Sequence, residues 1–187
     1  MKSEKALLRD EMKALRAGLA DRGERDRLIF LNFFSLPEVA AGQTFFVYRS
    51  FGTEAGTSRI IEELLRRGKR VYLPRVCGRE MCAAAYTGQS LACGAFGIEE
   101  PAGEPYTGMF DVCVVPLLAA DKRLCRLGYG GGYYDRFFAR EESRSFRAGV
   151  CYDAQLINTI PAEEHDARLD ALVTEARILR RGETEES

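Results

Sequence analysis

The order of short apolar runs and helical stripes constrains this chain more than any other feature. TFFVY, residues 44–48, is a β-rich run of the kind a buried strand shows. SFGTEAGT, residues 50–57, is a loop rich in glycine and threonine. Ile60, Ile61, Leu64 and Leu65 then form a helical stripe closed by Gly68, and RVYLP, residues 70–74, is a second strand. Strand, helix, strand is a βαβ unit, and its handedness rule favours a parallel pair. DVCVVPLL (111–118) and FRAGVCY (146–152) add further strands, and ALVTE and ARIL (171–179) read as two short terminal ones. The alternation predicts a three-layer α/β fold with a mostly parallel central sheet flanked by helices.

Two helices precede the sheet. Leu7, Leu8, Met12, Leu15 and Leu19 lie along one stripe, with Ser3 as the cap, and Asp21 with Glu24 three residues on reads as a capping box for a second helix carrying Leu28, Ile29 and Phe33 and ended by Pro37. The front end is therefore expected to be a helical hairpin, and residues 1–187 a single domain. MCAAAY (81–86) has strand character within an otherwise punctuated segment, 76–108, which reads as an excursion over the sheet. The polar tail GETEES is expected to fray.

The chain carries 27 Lys and Arg against 28 Asp and Glu, a net charge of -1, so nothing global draws it to nucleic acid or to an anionic membrane. Any anion site has to be local. Six scattered cysteines without a CxxC pair, and a single histidine, His165, are poor material for zinc. Thiols in runs such as DVCVVP read as small buried hydrophobes. No apolar signal core or membrane span is visible. The expectation is a reduced, cytoplasmic monomer acting on small molecules, with no nucleic-acid or membrane partner.

RLGYGGGYYDRFF, residues 126–138, places a glycine-rich loop between a strand and a helix. Glycine permits positive φ and close backbone approach, and the first amides of a helix are unpartnered donors, so this is a recipe for binding phosphate. The spacing fits neither G-x-G-x-x-G nor the P-loop pattern. A glycine-rich surface loop is the plain alternative, but the flanking Arg126, Tyr133, Tyr134 and Asp135 weigh against it. Asp135 reads equally as a helix-start residue and as an oxygen ligand for Mg²⁺. Of Tyr133 and Tyr134, adjacent on a helix, one is expected in the core and one on a flat ligand. Lys5 and Arg9 share a helix face, Glu54 lies in the loop after TFFVY, and His165 with Asp166 falls in a loop expected to be exposed. Taken alone, each of these is an ordinary surface residue. In parallel α/β sheets, ligands collect at the carboxyl ends of strands, where SFGTEAG and the glycine loop are both expected.

DKRLCRLGYGGGYYDRFF resembles the signature of the 5-formyltetrahydrofolate cyclo-ligases, also called methenyltetrahydrofolate synthetases. KALLRDEMK, SFGTEAGT, GKRVYLPRV and PAEEHDARLDALVTE, in this order, are similar to other segments of that family. The resemblance implies an α/β enzyme that uses ATP, with Mg²⁺, to turn 5-formyltetrahydrofolate into 5,10-methenyltetrahydrofolate, ADP and phosphate. It implies ATP contacts at Lys5, Arg9, Arg126, Leu127, Gly128, Tyr129, Gly130, Gly131, Gly132, Tyr133 and Tyr134, with Lys5 and Arg126 acting on the reacting phosphate. Glu54 resembles the family's folate-binding acid, Gly130, Gly131 and Tyr133 would border the folate, and Asp135 and Asp166 resemble its Mg²⁺ ligands. Arg49 stands where apolar residues are often found and is left out of this set. The chain departs from the family at Ala120, where an aromatic usually precedes Asp121, and at Leu124, which stands at a glycine position; the local turn is where this matters. A folate- or nucleotide-binding regulator without turnover is the alternative reading.

Overall fold

The computed structural model describes residues 3–89, 91–93, 99–102, 104–140, 144–161 and 166–182. The expected exposure of His165 and the fraying of the tail beyond residue 182 fall outside these residues.

Helix α1 (Glu4–Ala17) begins as its sequence dictates: Ser3 Oγ accepts the Ala6 amide at 3.3 Å, satisfying a first-turn donor that has no helical partner. Its buried side keeps part of the expected stripe: Met12, with Leu8 beside it, packs on Leu118, Cys125 and Leu127, and Leu19 packs on the cluster that holds Ile29 and Phe33. Met12 and Arg16 are buried, whereas Leu7 is 58% and Leu15 37% exposed. At about 100° per residue, Leu7 points well away from Met12. Helix α2 (Arg22–Phe34) follows after a short turn and buries Ile29 and Phe33. The capping box does not form: Asp21 sits in the left-handed region at φ 54° with no side-chain cap bond, and Glu24 instead binds Arg27 at 2.7 Å. A capping side chain needs extended backbone at that position. Pro37 ends this stretch by starting α3 (Pro37–Ala41), where its missing N–H is harmless.

The sheet then builds through β1 (Thr44–Val47), α4 (Ser58–Arg66), β2 (Arg70–Cys77) and β3 (Glu80–Tyr86). β4 (Ala92–Cys93) and β5 (Glu99–Glu100) form a separate small pair, followed by β6 (Val112–Val115). β7 (Ala119–Ala120) and β8 (Arg126–Leu127) make a short antiparallel hairpin, so the glycine loop follows β8 and not the long apolar run. After α5 (Tyr133–Phe138) come β9 (Phe146–Val150), a 3₁₀ turn (Asp153–Gln155), β10 (Ala171–Val173) and β11 (Ile178–Arg180).

The main sheet has seven strands in the order β3-β2-β1-β6-β9-β10-β11, parallel throughout its five central strands and antiparallel at both edges. The central runs are apolar without alternation because both faces are covered. Phe45, Val47, Val112 and Val114 meet Ile29, Phe33, Ile60 and Leu64 on one face. Phe46, Cys113 and Val115 meet Phe110, Leu124 and Phe138 on the other. MCAAAY is the antiparallel edge strand β3, so part of the excursion belongs to the main sheet.

Cys113, Cys125 and Cys151 are buried thiols, as expected. Cys77 and Cys82 depart from that expectation and are joined as a disulfide, because the β2–β3 hairpin brings their Cα atoms within 6.3 Å. None of the described helices is long and apolar enough to cross a membrane.

Candidate active site

From β1 the chain crosses through α4 to β2 on one side, while β6 on its other side leads outward to β9. The carboxyl ends of β1 and β6 thus send the chain in opposite directions, and such a point leaves a crevice above the sheet. A cavity of about 910 Å³ opens there, at the upper end of the roughly 300–1,000 Å³ common for ligand sites. Every candidate residue lines it: Lys5, Arg9, Glu54, the run Arg126 to Tyr134, Asp135 and Asp166. Seven Lys and Arg side chains face four carboxylates, so a chain of nearly zero net charge concentrates positive charge at one place.

The glycine loop is shaped by backbone that only glycine adopts without cost. Gly130 has φ 98° and Gly132 φ 66°. Arg9 lies against the loop, donating from Nε to the Gly128 carbonyl at 2.9 Å, and a Cβ added at Gly130 would stand 3.2 Å from its Cζ. Arg126, at the end of β8, is buried and donates to Asp135 Oδ1 at 2.6 Å; the Ala167 amide reaches the same oxygen at 3.3 Å. Lys5 binds Asp166 at 3.1 Å, across from the start of α1. Asp135 and Asp166 are thereby held at one end of the cavity beside the loop. Their hard oxygen donors suit Mg²⁺, which takes one or two carboxylates and completes its shell with water and substrate phosphate. Among the described residues no group of three or more His, Cys, Asp or Glu gathers as a closed metal cage.

Tyr133 and Tyr134 do not separate into one core and one cavity residue: both are half-buried, both line the cavity and both pack against the cluster around Phe46. Tyr134 packs toward Phe46 and Phe138, and burial pushes its phenol well above the usual tyrosine range. Tyr133 stays at the cavity edge with the Arg136 guanidinium over its ring at 5.1 Å.

At the other end, Glu54 sits on a braced loop. The Thr57 hydroxyl donates to the Tyr48 carbonyl at 2.7 Å and accepts the Ser50 amide at 3.0 Å. Asp26 Oδ1 accepts both the Gly56 amide and the Tyr152 hydroxyl at 2.9 Å, and a Cβ on Gly56 would fall 2.7 Å from that carboxylate. Glu54 Oε2 takes the Phe51 amide at 2.8 Å, while Oε1 takes the Tyr129 hydroxyl. Tyr129 is 42% exposed as a residue, but desolvation at its hydroxyl, and then the charge of Glu54, raise its phenol above the ordinary range.

The cavity adds residues that the sequence did not single out. Lys13 and Arg16 continue the Lys5–Arg9 face of α1, and the spacing of four, four and three residues is the signal that could have found them. Arg49, left out above, also lines the cavity, as do Phe51, Arg75 and Glu100, the last from the 76–108 excursion. Lys5 and Arg16 are eleven residues apart on one helix, so the cavity runs along roughly 16 Å of α1. The Lys5 end gathers Arg9, Arg126 and two aspartates beside the glycine loop; the Arg16 end presents Glu54, held by the Tyr129 hydroxyl and the Phe51 amide.

A profile of the 5-formyltetrahydrofolate cyclo-ligase family matches residues 1–175. The chain is 34% identical over 152 residues to the 5-formyltetrahydrofolate cyclo-ligase of Escherichia coli K12, covering 76% of this chain and 83% of that protein. It is 34% identical over 146 residues to a probable 5-formyltetrahydrofolate cyclo-ligase of Schizosaccharomyces pombe, covering 68% and 72%. The NMR structure of Aquifex aeolicus 5,10-methenyltetrahydrofolate synthetase superposes with a TM-score of 0.84 at 32% identity, over 95% of this chain and 93% of that one.

Proposed function

Because this chain belongs to the 5-formyltetrahydrofolate cyclo-ligase family, we propose that its cavity joins ATP to 5-formyltetrahydrofolate and closes the folate ring to the 5,10-methenyl form, releasing ADP and phosphate. The observation that carries this reading is the two-ended cavity: a cationic glycine loop and a carboxylate-bearing loop share one pocket along α1. The non-catalytic regulator loses its footing, since the relatives are named as ligases.

The chemistry explains why both ends are needed. A formamide carbon is a poor electrophile, so its oxygen first takes the γ-phosphoryl group and ADP departs. N10 of the folate then attacks the activated carbon, loses its proton, and the former formyl oxygen leaves as part of phosphate. Such a reaction asks a protein mainly for positioning and charge neutralisation. Lys5, Arg9 and Arg126 would neutralise the phosphate oxygens, with the glycine loop, which lines the same cavity, allowing close approach of its backbone. Asp135 and Asp166 would hold Mg²⁺, which when bound offsets charge on the phosphates. Glu54, an acceptor on both oxygens, would take the amino and ring N–H donors of the pterin and bring the formyl group to the loop at Gly130, Gly131 and Tyr133.

The test is stoichiometry on purified protein. One ADP and one phosphate should appear per methenyl product, and no product should form without ATP. Product without ATP, or ATP hydrolysis that leaves 5-formyltetrahydrofolate unchanged, would refute the reading.

A further inference from the structure

Arg16 is a full cation at 5% exposure, and both of its hydrogen-bond partners are neutral hydroxyls. Nε donates to Thr53 Oγ1 at 3.0 Å and Nη1 to the Tyr129 hydroxyl at 2.7 Å, with the guanidinium 5.6 Å from the tyrosine ring centre. Tyr129 in turn hydrogen-bonds Glu54 Oε1. The direction of this chain is fixed by chemistry. A guanidinium can only donate, so it occupies a lone pair of the phenol and leaves the single phenolic proton for the carboxylate. Hydrogen bonds involving a charged partner are the strong ones, and this relay has a charge at each end. With Oε2 already on the Phe51 amide, both oxygens of Glu54 are anchored from the protein side.

We infer that Arg16 is a positioning residue for Glu54, acting through the Tyr129 hydroxyl, and that it ties the folate end of the cavity to the helix carrying Lys5 and Arg9. This rests on the reading of Glu54 as the folate acid. Arg16 stands on the same face of α1, three turns beyond Lys5, so a helix seated at one end by phosphate contacts is registered at the other by this relay. Thr53 adds a second tie, to the loop that carries Glu54. Without Arg16 the phenol gains a free lone pair and the rotational freedom to abandon Glu54.

The experiment compares Arg16→Met, Tyr129→Phe, the double variant, Arg16→Lys and Glu54→Gln by steady-state kinetics in each substrate and by thermal unfolding. Arg16→Met and Tyr129→Phe should each raise KM for 5-formyltetrahydrofolate about tenfold, the scale of one charge-assisted hydrogen bond, and change KM for ATP less than about twofold. The double variant should be no worse than the weaker single, and Arg16→Lys should recover part of the loss. A purely structural arginine would lower the unfolding temperature and the active fraction while leaving both KM values alone, and that result overturns the inference. So do additive effects, or equal rises in both KM values. Should Arg16→Met not fold, Tyr129→Phe, which removes one oxygen, carries the same expectation. Glu54→Gln separates the two claims: an unchanged folate KM there refutes the folate reading of Glu54, whereas a raised one beside normal Tyr129→Phe kinetics refutes the relay.

Discussion

Gly131 has no room for a side chain on the side that faces Tyr133: a Cβ there would lie 2.9 Å from two carbons of the ring. The residue itself is exposed, so Gly131→Val should abolish turnover while the unfolding temperature moves by only a few degrees, read from kcat and a thermal melt of the same sample. Asp135→Asn isolates charge from shape. The amide oxygen still accepts from Arg126, avoiding the roughly 3–5 kcal/mol cost of stranding a buried cation, but it is a weaker ligand for a hard ion. Half-maximal activity should then need more Mg²⁺ than in the parent protein; an unaltered Mg²⁺ titration removes Asp135 from the metal site. Arginine, the glycines and aspartate in that order at 126–135 carry a backbone and charge logic legible in the sequence, whereas Lys5, Arg9, Glu54 and Asp166 taken alone read as surface residues and stood out only through the family resemblance. Arg16 was not, because a cation on a helix reads as a solvated surface residue until tertiary structure buries it.

Helix α1 and the β7–β8 hairpin show why elements were less legible than residues. The α1 leucines suggest one core-facing stripe, yet Leu8, Met12 and Leu19 alone pack on the core, and the neighbouring face with Lys5, Arg9, Lys13 and Arg16 lines the cavity. Two-residue strands carry no periodicity, so β7 and β8 leave no mark in the sequence. Leu124, at the family's glycine position, has φ 61° and is buried at 1% exposure. Glycine there would relieve about 1–2 kcal/mol of backbone strain but forfeit about 2–5 kcal/mol of leucine burial and packing. Leu124→Gly should therefore destabilise the protein by about 1–3 kcal/mol in urea unfolding, with kcat nearly unchanged. A stabilised variant would mean that strain at this turn outweighs packing.

For the whole molecule, the strand order matters most, because the divergence of β1 and β6 puts three distant segments around one crevice: α1, the SFGTEAGT loop and the glycine loop. The apolar runs made the parallel sheet legible, but the order of its strands depends on pairings between residues far apart in sequence. The fold also sets an alkaline limit. Burial raises the phenols of Tyr48 and Tyr134 well above their ordinary value, so the folded chain keeps these protons while the unfolded chain loses them near pH 10. Their contribution is fully present below pH 10 and declines above it, by up to about 1.4 kcal/mol per pH unit for each group. Denaturant midpoints should thus fall above pH 10, and a flat profile to pH 11 would contradict the burial of these rings. The central claim is that the crevice lets a formyl oxygen meet the γ-phosphoryl group of ATP. It is tested most directly by supplying 5-formyltetrahydrofolate with ¹⁸O in the formyl group and measuring the released phosphate by mass spectrometry. The account predicts one ¹⁸O per phosphate; label released to water, with unlabelled phosphate, would contradict it.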